Sequence, residues 1–368
     1  MSQKIIVSVI SDLVTDQRVQ KECRTLHQMG YEVVLIGRRT GNPVRLEKMG
    51  FHVVRLRVPF GSGPLMYFFF NVQLFFYLLF RKADVLWAND LDTLLANFLI
   101  WRVKKCKLVY DSHEYFTLSV TKNTSRKVWE RLENYIFPKL KNVITVNGSI
   151  ASAYKKKYRV PVTVIRNLPY ERMPEIRKGV VELPDKKILI MQGMGLNENR
   201  GTEEAVLTMQ YLPDEFMLYF IGGGTMLTRL KQMTRDLGLS RKIIFVAALP
   251  YDEMMEYTRQ CFLGLIFEKI DVTDHHRFAL PNKLFDYLKA GLPILSSKAP
   301  EIELLINQYQ VGDVIDCLDP PSIARKILAV AQDMETYHEW QRHTREAIRV
   351  LNWENEEKTL VQFMARLT

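Results

Sequence analysis

Cysteine is scarce in this chain of 368 residues: Cys23, Cys106, Cys261 and Cys317 lie far apart, in no metal-ligand spacing. A disulfide framework and a zinc module are thereby excluded, and the four read as reduced thiols of a cytoplasmic protein. Export is not expected. MSQKIIVSVI enters an apolar strand directly, without the charged, apolar and cleavage regions of a signal peptide. No apolar run is long enough to span a bilayer. Leu65 to Phe80, LMYFFFNVQLFFYLLF, is interrupted by Asn71 and Gln73 and is shorter than the roughly 20 residues a span needs. It reads as a helix packed partly on a first domain. Contact with an acidic membrane surface is the other reading, because Arg81 and Lys82 follow directly and would meet headgroups at the inner face of a membrane. Lys and Arg number 51 against 41 Asp and Glu, a formal charge of +10 that favours anionic partners. No basic run is long enough, or laced enough with aromatics, to indicate nucleic acid. Neither set of strands is followed by a paired-Asp motif that would demand a metal, and no metal or other cofactor is expected.

What is present is a soluble globular composition, 47% apolar and 25% charged, at a length that suits two domains. Short apolar runs alternate with amphipathic segments, the pattern of α/β folds. The first set of strands is expected at Ile5 to Ile10, Glu32 to Ile36, Phe51 to Val58, Asp84 to Ala88, Lys107 to Tyr110, Asn142 to Val146 and Val162 to Ile165. A proline-rich, charged stretch from Pro169 to Asp185 interrupts the periodicity. The pattern restarts at Lys187 to Gln192, Phe216 to Ile221, Lys242 to Val246, Phe262 to Phe267 and Pro293 to Ser296. The expectation is two Rossmann-like, doubly wound parallel-sheet domains over residues 1–168 and 187–350, with a linker at 169–186. An amphipathic helix follows at 351–368.

Ligands of open parallel sheets bind beyond the carboxyl ends of the strands. At those positions the first domain carries Asp12, Asp16 and Arg18, then Asn89, Asp90 and Asp92, then Asp111, Ser112, His113 and Glu114. Helix capping by Asp16 and Asp90 is the plain alternative for any one cluster. In the second domain Gly222, Gly223 and Gly224 close a strand as a tight turn, and Glu268 ends another before a loop with Asp274, His275, His276 and Arg277. The stretch LPNKLFDYLKAGLPILSS, from Leu280 to Ser297, reads as a helix and then a strand. Lys283 and Asp286 share one face of its first turns. A cation beside a helix N-terminus suits a phosphate, and an Asp one turn on accepts from sugar hydroxyls. Solvated surface charges are the alternative.

This stretch resembles the donor-site signature of the GT-B glycosyltransferases, specifically family 4 of the retaining enzymes. Members carry Pro-x-Lys-x-x-Glu-Tyr and then Met-Ala-x-Gly-x-Pro-Val; here the positions are Pro281, Lys283, Asp286, Tyr287, Gly291, Pro293 and Ile294. SDLVTDQRVQKECRTL, ANDLDTLLANFL, VYDSHEYF and GMGLNENRG resemble further segments in the family's order. The resemblance implies two domains facing across a cleft, with the last helix crossing back onto the first domain. It implies a nucleotide-sugar donor and a glycan or lipid-linked acceptor. It places His113, Arg200 and Lys283 at the chemistry, with Arg200 on the donor diphosphate and His113 nearest the transferred sugar. Gly193, Gly195, Gly222, Gly224, Glu268, Pro281, Asn282 and Asp286 fall on the donor side, Asp286 at the ribose. Asp16, Arg18, Asn89, Asp90 and Glu114 fall on the acceptor side. One departure is plain: many members have two Glu separated by seven residues, whereas this chain has Phe278 and Asp286. A nucleotide-sugar epimerase and a non-catalytic scaffold of the same fold therefore stay open.

Overall fold

The computed structural model describes residues 2–11, 13, 16–39, 49–119, 123–172, 181–270 and 277–367. Asp12, Asp274, His275 and His276 lie outside the described residues. The chain divides into two compact units, residues 1–167 with 353–368, and residues 168–352.

The first unit holds a seven-stranded sheet: β1 (Lys4–Ser8), β2 (Glu32–Arg38), β3 (His52–Leu56), β4 (Val85–Asn89), β5 (Lys107–Ser112), β6 (Asn142–Thr145) and β7 (Val162–Val164), in spatial order 3-2-1-4-5-6-7. Every pairing is parallel, with Ile5 between Val33 on one side and Val85 on the other. Such a sheet is covered on both faces, so its central strands are apolar without alternation; Ile5, Ile6, Val7, Leu86 and Trp87 are all buried. The strand order reverses beside β1, and the crevice beyond the ends of β1 and β4 is where such sheets take ligands.

The apolar stretch forms the helix Pro64–Leu79, burying Met66, Phe70, Leu74 and Leu78 at intervals of one turn. Asn71, which interrupts the run, donates to Asp92 O at 2.6 Å and accepts from Ala96 N, tying this helix to the next, Leu91–Val103. Its other face is bare: Leu65, Phe68, Phe76 and Phe80 are 54%, 60%, 53% and 78% exposed. No helix among the described residues is long and apolar enough to cross a membrane. The C-terminal helix Trp353–Ala365 packs in the first unit, its buried Trp353 donating to Thr25 Oγ1 at 3.2 Å under Lys21. Glu356 takes the Arg166 backbone N–H at 2.7 Å and its guanidinium at 3.0 Å.

The second unit repeats the plan with six parallel strands: β8 (Lys187–Gly193), β9 (Phe216–Gly222), β10 (Ile243–Val246), β11 (Leu263–Ile266), β12 (Ile294–Ser297) and β13 (Gly312–Ile315), ordered 10-9-8-11-12-13. Its switch point falls between β8 and β11. β13 is the strand that periodicity does not announce. Four residues long, with a charge at Asp313, it lies at the sheet edge against β12, where one face of a strand need not be apolar.

Candidate functional site

In the first unit the crevice beyond β1, β4 and β5 is built on a buried ion network. Arg18, in the first turn of the helix Gln17–Gln28, is 2% exposed. Its fork meets Asp111 at the end of β5 through Nε–Oδ2 at 3.0 Å and Nη2–Oδ1 at 2.8 Å, and Nη1 donates to Ile165 O at 2.7 Å. Glu22 Oε1 lies 3.1 Å from the same guanidinium. This bidentate pairing needs the planar Arg fork, which Lys does not offer. Arg18 and Asn89, expected on the acceptor side, are both buried. Asn89 is fully buried, with Nδ2 donating to Ser8 O at 3.1 Å. Asp16 is the N-cap of its helix, accepting from Val19 N at 3.1 Å and also from Ser11 Oγ. Glu114 is exposed.

His113 sits above this network. The Asn89 orientation set by Ser8 turns Oδ1 towards His113 Nε2 at 3.1 Å, and Asp111 Oδ2 is 3.3 Å from the same nitrogen. Nδ1 faces Asp90 Oδ2 at 3.3 Å. Burial disfavours an imidazolium, but Asp90 and Asp111 outweigh it and raise the His113 pKa to about 10. Burial alone would raise Asp111; Arg18 and His113 overcome it and hold that carboxyl well below the usual range. Glu22 is moved the other way, well above the usual range, by its burial. The ring is thus a fixed cation at neutral pH.

Asp90 precedes the helix Leu91–Val103 but does not cap it. Its backbone is at φ 58°, ψ 166°, a region that side-chain-bearing residues rarely enter. Two contacts hold it there: its N–H donates to Asp111 O at 2.8 Å, and its Oδ1 accepts from His113 N at 2.9 Å. Strain of about 1–3 kcal/mol is stored at such positions, and they cluster at functional sites. Burial raises the Asp90 carboxyl to about 6, with His113 limiting the rise.

In the second unit the loops after β8 and β9 lie against each other. A Cβ on Gly222, at φ 127°, would sit 2.2 Å from Gly193 O, and one on Gly224 would sit 2.2 Å from Leu196 O. Only glycine permits that approach. Gly195 faces open space. Arg200, just before the helix Thr202–Thr208, is paired with Glu268 at the end of β11. The Glu268 side chain is 1% exposed and that of Arg200 23%. Ser297 Oγ accepts from Glu268 N at 2.7 Å and donates to Glu268 O at 2.9 Å, fixing the residue. Glu268, expected on the donor side, is thus paired with Arg200, which the resemblance puts on the donor diphosphate.

Pro281 is the N-cap of the helix Asn282–Ala290, one residue earlier than a helical proline would be, and Asn282 is exposed in its first turn. Lys283 is half-buried there. Burial lowers its pKa to about 8, Glu268 supporting the charge and Arg200 opposing it. Arg200, Glu268 and Lys283, distant in sequence, form one electrostatic group. Asp286 is held separately: Tyr251 OH donates to Oδ1 at 2.9 Å and Gln192 Nε2 reaches Oδ2 at 3.5 Å. Thr258 Oγ1 in turn donates to Gln192 Oε1 at 2.6 Å. Phe278 is half-buried and Arg277 exposed. Among the described residues no three His, Cys, Asp or Glu side chains converge as a metal set.

Glu22 and Tyr251 are the participants that the sequence does not single out; Asp111 falls in a strand-end cluster there but is given no role. Arg18 and Glu22 are spaced i and i+4, a usable signal; nothing in the sequence links Tyr251 to Asp286.

The model of Glycosyltransferase Family 4 matches residues 17–168, and that of Glycosyl transferases group 1 matches residues 172–347. A putative colanic acid biosynthesis glycosyl transferase, WcaI of Escherichia coli K12, is 25% identical over 160 residues. The match takes in 42% of this chain and spans only 37% of that relative. Sucrose-phosphate synthase from Thermosynechococcus elongatus superimposes with a TM-score of 0.80 at 14% identity, covering 99% of each chain. Anabaena HepE in complex with UDP and glucose gives 0.78 at 13% identity, covering 99% of this chain and 100% of that one.

Proposed function

Because the chain belongs to the family 4 glycosyltransferases of GT-B fold, we propose that it moves a sugar from a nucleotide-diphosphate donor to a glycan or lipid-linked acceptor. The product is a cell-surface polysaccharide or glycoconjugate, and configuration is retained. The observation that carries the donor assignment is the placement of Arg200 and Lys283 at the β8–β11 switch point, Lys283 in the first turn of a helix. HepE, which holds UDP and glucose, supports a donor of that class.

In the reaction the bond from the anomeric carbon to the diphosphate breaks, and its electron pair stays on phosphate oxygen. Arg200, Lys283 and the helix dipole stabilise that growing charge. The acceptor hydroxyl attacks from the same face, and its proton passes to the departing phosphate. Asp286, oriented by Tyr251, holds the ribose. His113 is a charged donor toward sugar oxygen and takes no proton at neutral pH. Glu114 and Asp90 are the acceptor-side groups nearest solvent.

We place an acidic bilayer surface against the bare face of Pro64–Leu79, where Phe76 and Phe80 lead into Arg81 and Lys82. It supports a lipid-linked acceptor. Flotation with phosphatidylglycerol vesicles tests it: binding that falls in Phe76→Ser/Phe80→Ser is expected, and equal binding to neutral phosphatidylcholine would refute it. For the donor site, thermal shift against UDP, GDP, ADP and their sugar conjugates is expected to give a shift for one base. Lys283→Ala and Arg200→Ala are each expected to weaken that nucleotide by about 1.5–3 kcal/mol. Binding unchanged in both variants would sink the assignment.

A further inference from the structure

The cation pair of the second unit already carries an anion of its own. Arg200 is bound to Glu268, which is buried to 1% and pinned through its backbone at both N–H and C=O by Ser297. Ser297 itself is buried at the end of β12. Arg200 is the part-exposed partner, on a turn just before Thr202–Thr208, whereas the carboxylate is buried and its backbone fixed. A guanidinium in this position has two alternatives, the fixed carboxylate or an arriving phosphate.

We propose that Glu268 is a positioning residue: a built-in counter-ion that holds the Arg200 fork in the unloaded site and competes with the diphosphate for it. This rests on the donor-site reading above and adds a function for a carboxylate at the place where a sugar contact would otherwise be sought. With Glu268 ionised, the group Arg200, Lys283 and Glu268 carries one net positive charge; the Glu268→Gln variant would carry two. Glu268 also supports the Lys283 charge against burial, so it keeps both cations ready while limiting how strongly Arg200 is offered. The consequence is faster release of the nucleotide product, at the expense of affinity. A group gripping donor sugar would act in the opposite sense, adding affinity for the sugar nucleotide and none for the diphosphate.

The test uses inorganic pyrophosphate, which reads the diphosphate subsite whatever base the donor carries. Calorimetric titration of the full chain and of Glu268→Gln at pH 7 is expected to show pyrophosphate bound about tenfold tighter by the variant, because a competing charge at contact distance has gone. In an Arg200→Ala background the same change is expected to give no gain. Loss of a structural support would weaken binding, so tightening separates the two roles. Equal or weaker binding by a folded Glu268→Gln overturns the proposal. Should that variant fail to fold, Glu268→Asp withdraws the carboxylate by one methylene and is expected to tighten pyrophosphate to a smaller degree; no tightening again overturns it. Wild-type chain that binds neither pyrophosphate nor UDP, GDP or ADP would overturn the donor-site reading as well, which distinguishes the two failures.

Discussion

Asp111→Asn is the perturbation that asks most of the first unit. Asp111 is fully buried and bonded to both branches of the Arg18 fork, with His113 Nε2 3.3 Å from Oδ2. Neutralising it leaves two buried cations short of a counter-charge, and breaking a buried pair from one side costs about 3–5 kcal/mol. The lower end applies here. Glu22, 3.1 Å from the same guanidinium, stays as a second partner; burial and then the Asp111 charge raise its carboxyl, so losing that charge favours its ionised form. A loss of about 3 kcal/mol lowers the melting temperature by roughly 10 °C. The pH dependence changes too. His113 has a folded pKa of about 10, above its ordinary 6.5, so its stabilisation is present below pH 6.5 and lost as pH rises towards 10. Without Asp111 the ring loses one supporting carboxylate, so this contribution is smaller and is exhausted at lower pH. Urea unfolding read by tryptophan fluorescence suits the question, since Trp87, Trp101, Trp129 and Trp353 belong to this unit. Adding Glu22→Gln is expected to cost more than the sum of the two changes. A loss below about 1 kcal/mol at pH 7, the value of a surface pair, with an unchanged pH slope, would refute the network as described.

Nucleotide diphosphate affinity should fall about tenfold between pH 7 and pH 9 as Lys283, lowered to about 8, loses its proton; Lys283→Arg is expected to bind equally at both pH values. Tyr251→Phe removes the donor to Asp286 Oδ1. It should weaken the preferred nucleotide by about 0.5–1.5 kcal/mol and leave pyrophosphate, which has no ribose, unchanged; parallel losses for both ligands would count against the ribose role. Asp90→Gly releases the strained backbone, worth about 1–3 kcal/mol, while removing a His113 partner. Stability measured by urea unfolding should stay near that of the parent as sugar transfer falls; a large loss of stability would show that the carboxylate serves the fold instead.

Much of the architecture is legible in the chain. Two sets of apolar runs separated by amphipathic stretches specify parallel sheets because strands buried on both faces need apolar residues throughout. Pro281 and Gly291 bound the helix Asn282–Ala290 through local turn signals, while its assignment to the donor side rests on the family resemblance. β13 escapes such reading, since an edge strand with Asp313 has no apolar run to betray it. The state of His113 escapes too: its charge depends on Asp90 and Asp111, brought to it by two adjacent strand ends, and Asp111 depends on Arg18 from a third element.

The sequence by itself determined the fold class and the strand-end positions where chemistry gathers, because periodicity and turn residues act over a few positions of chain. Tertiary structure alone decided which of those polar groups face outward and which are spent on one another. Arg18 and Asn89 are buried, and Glu268 is paired with Arg200. Ionisation and exposure are set by what lies within a few ångströms in space, and neighbours separated by 68 or 93 residues of chain leave no local trace.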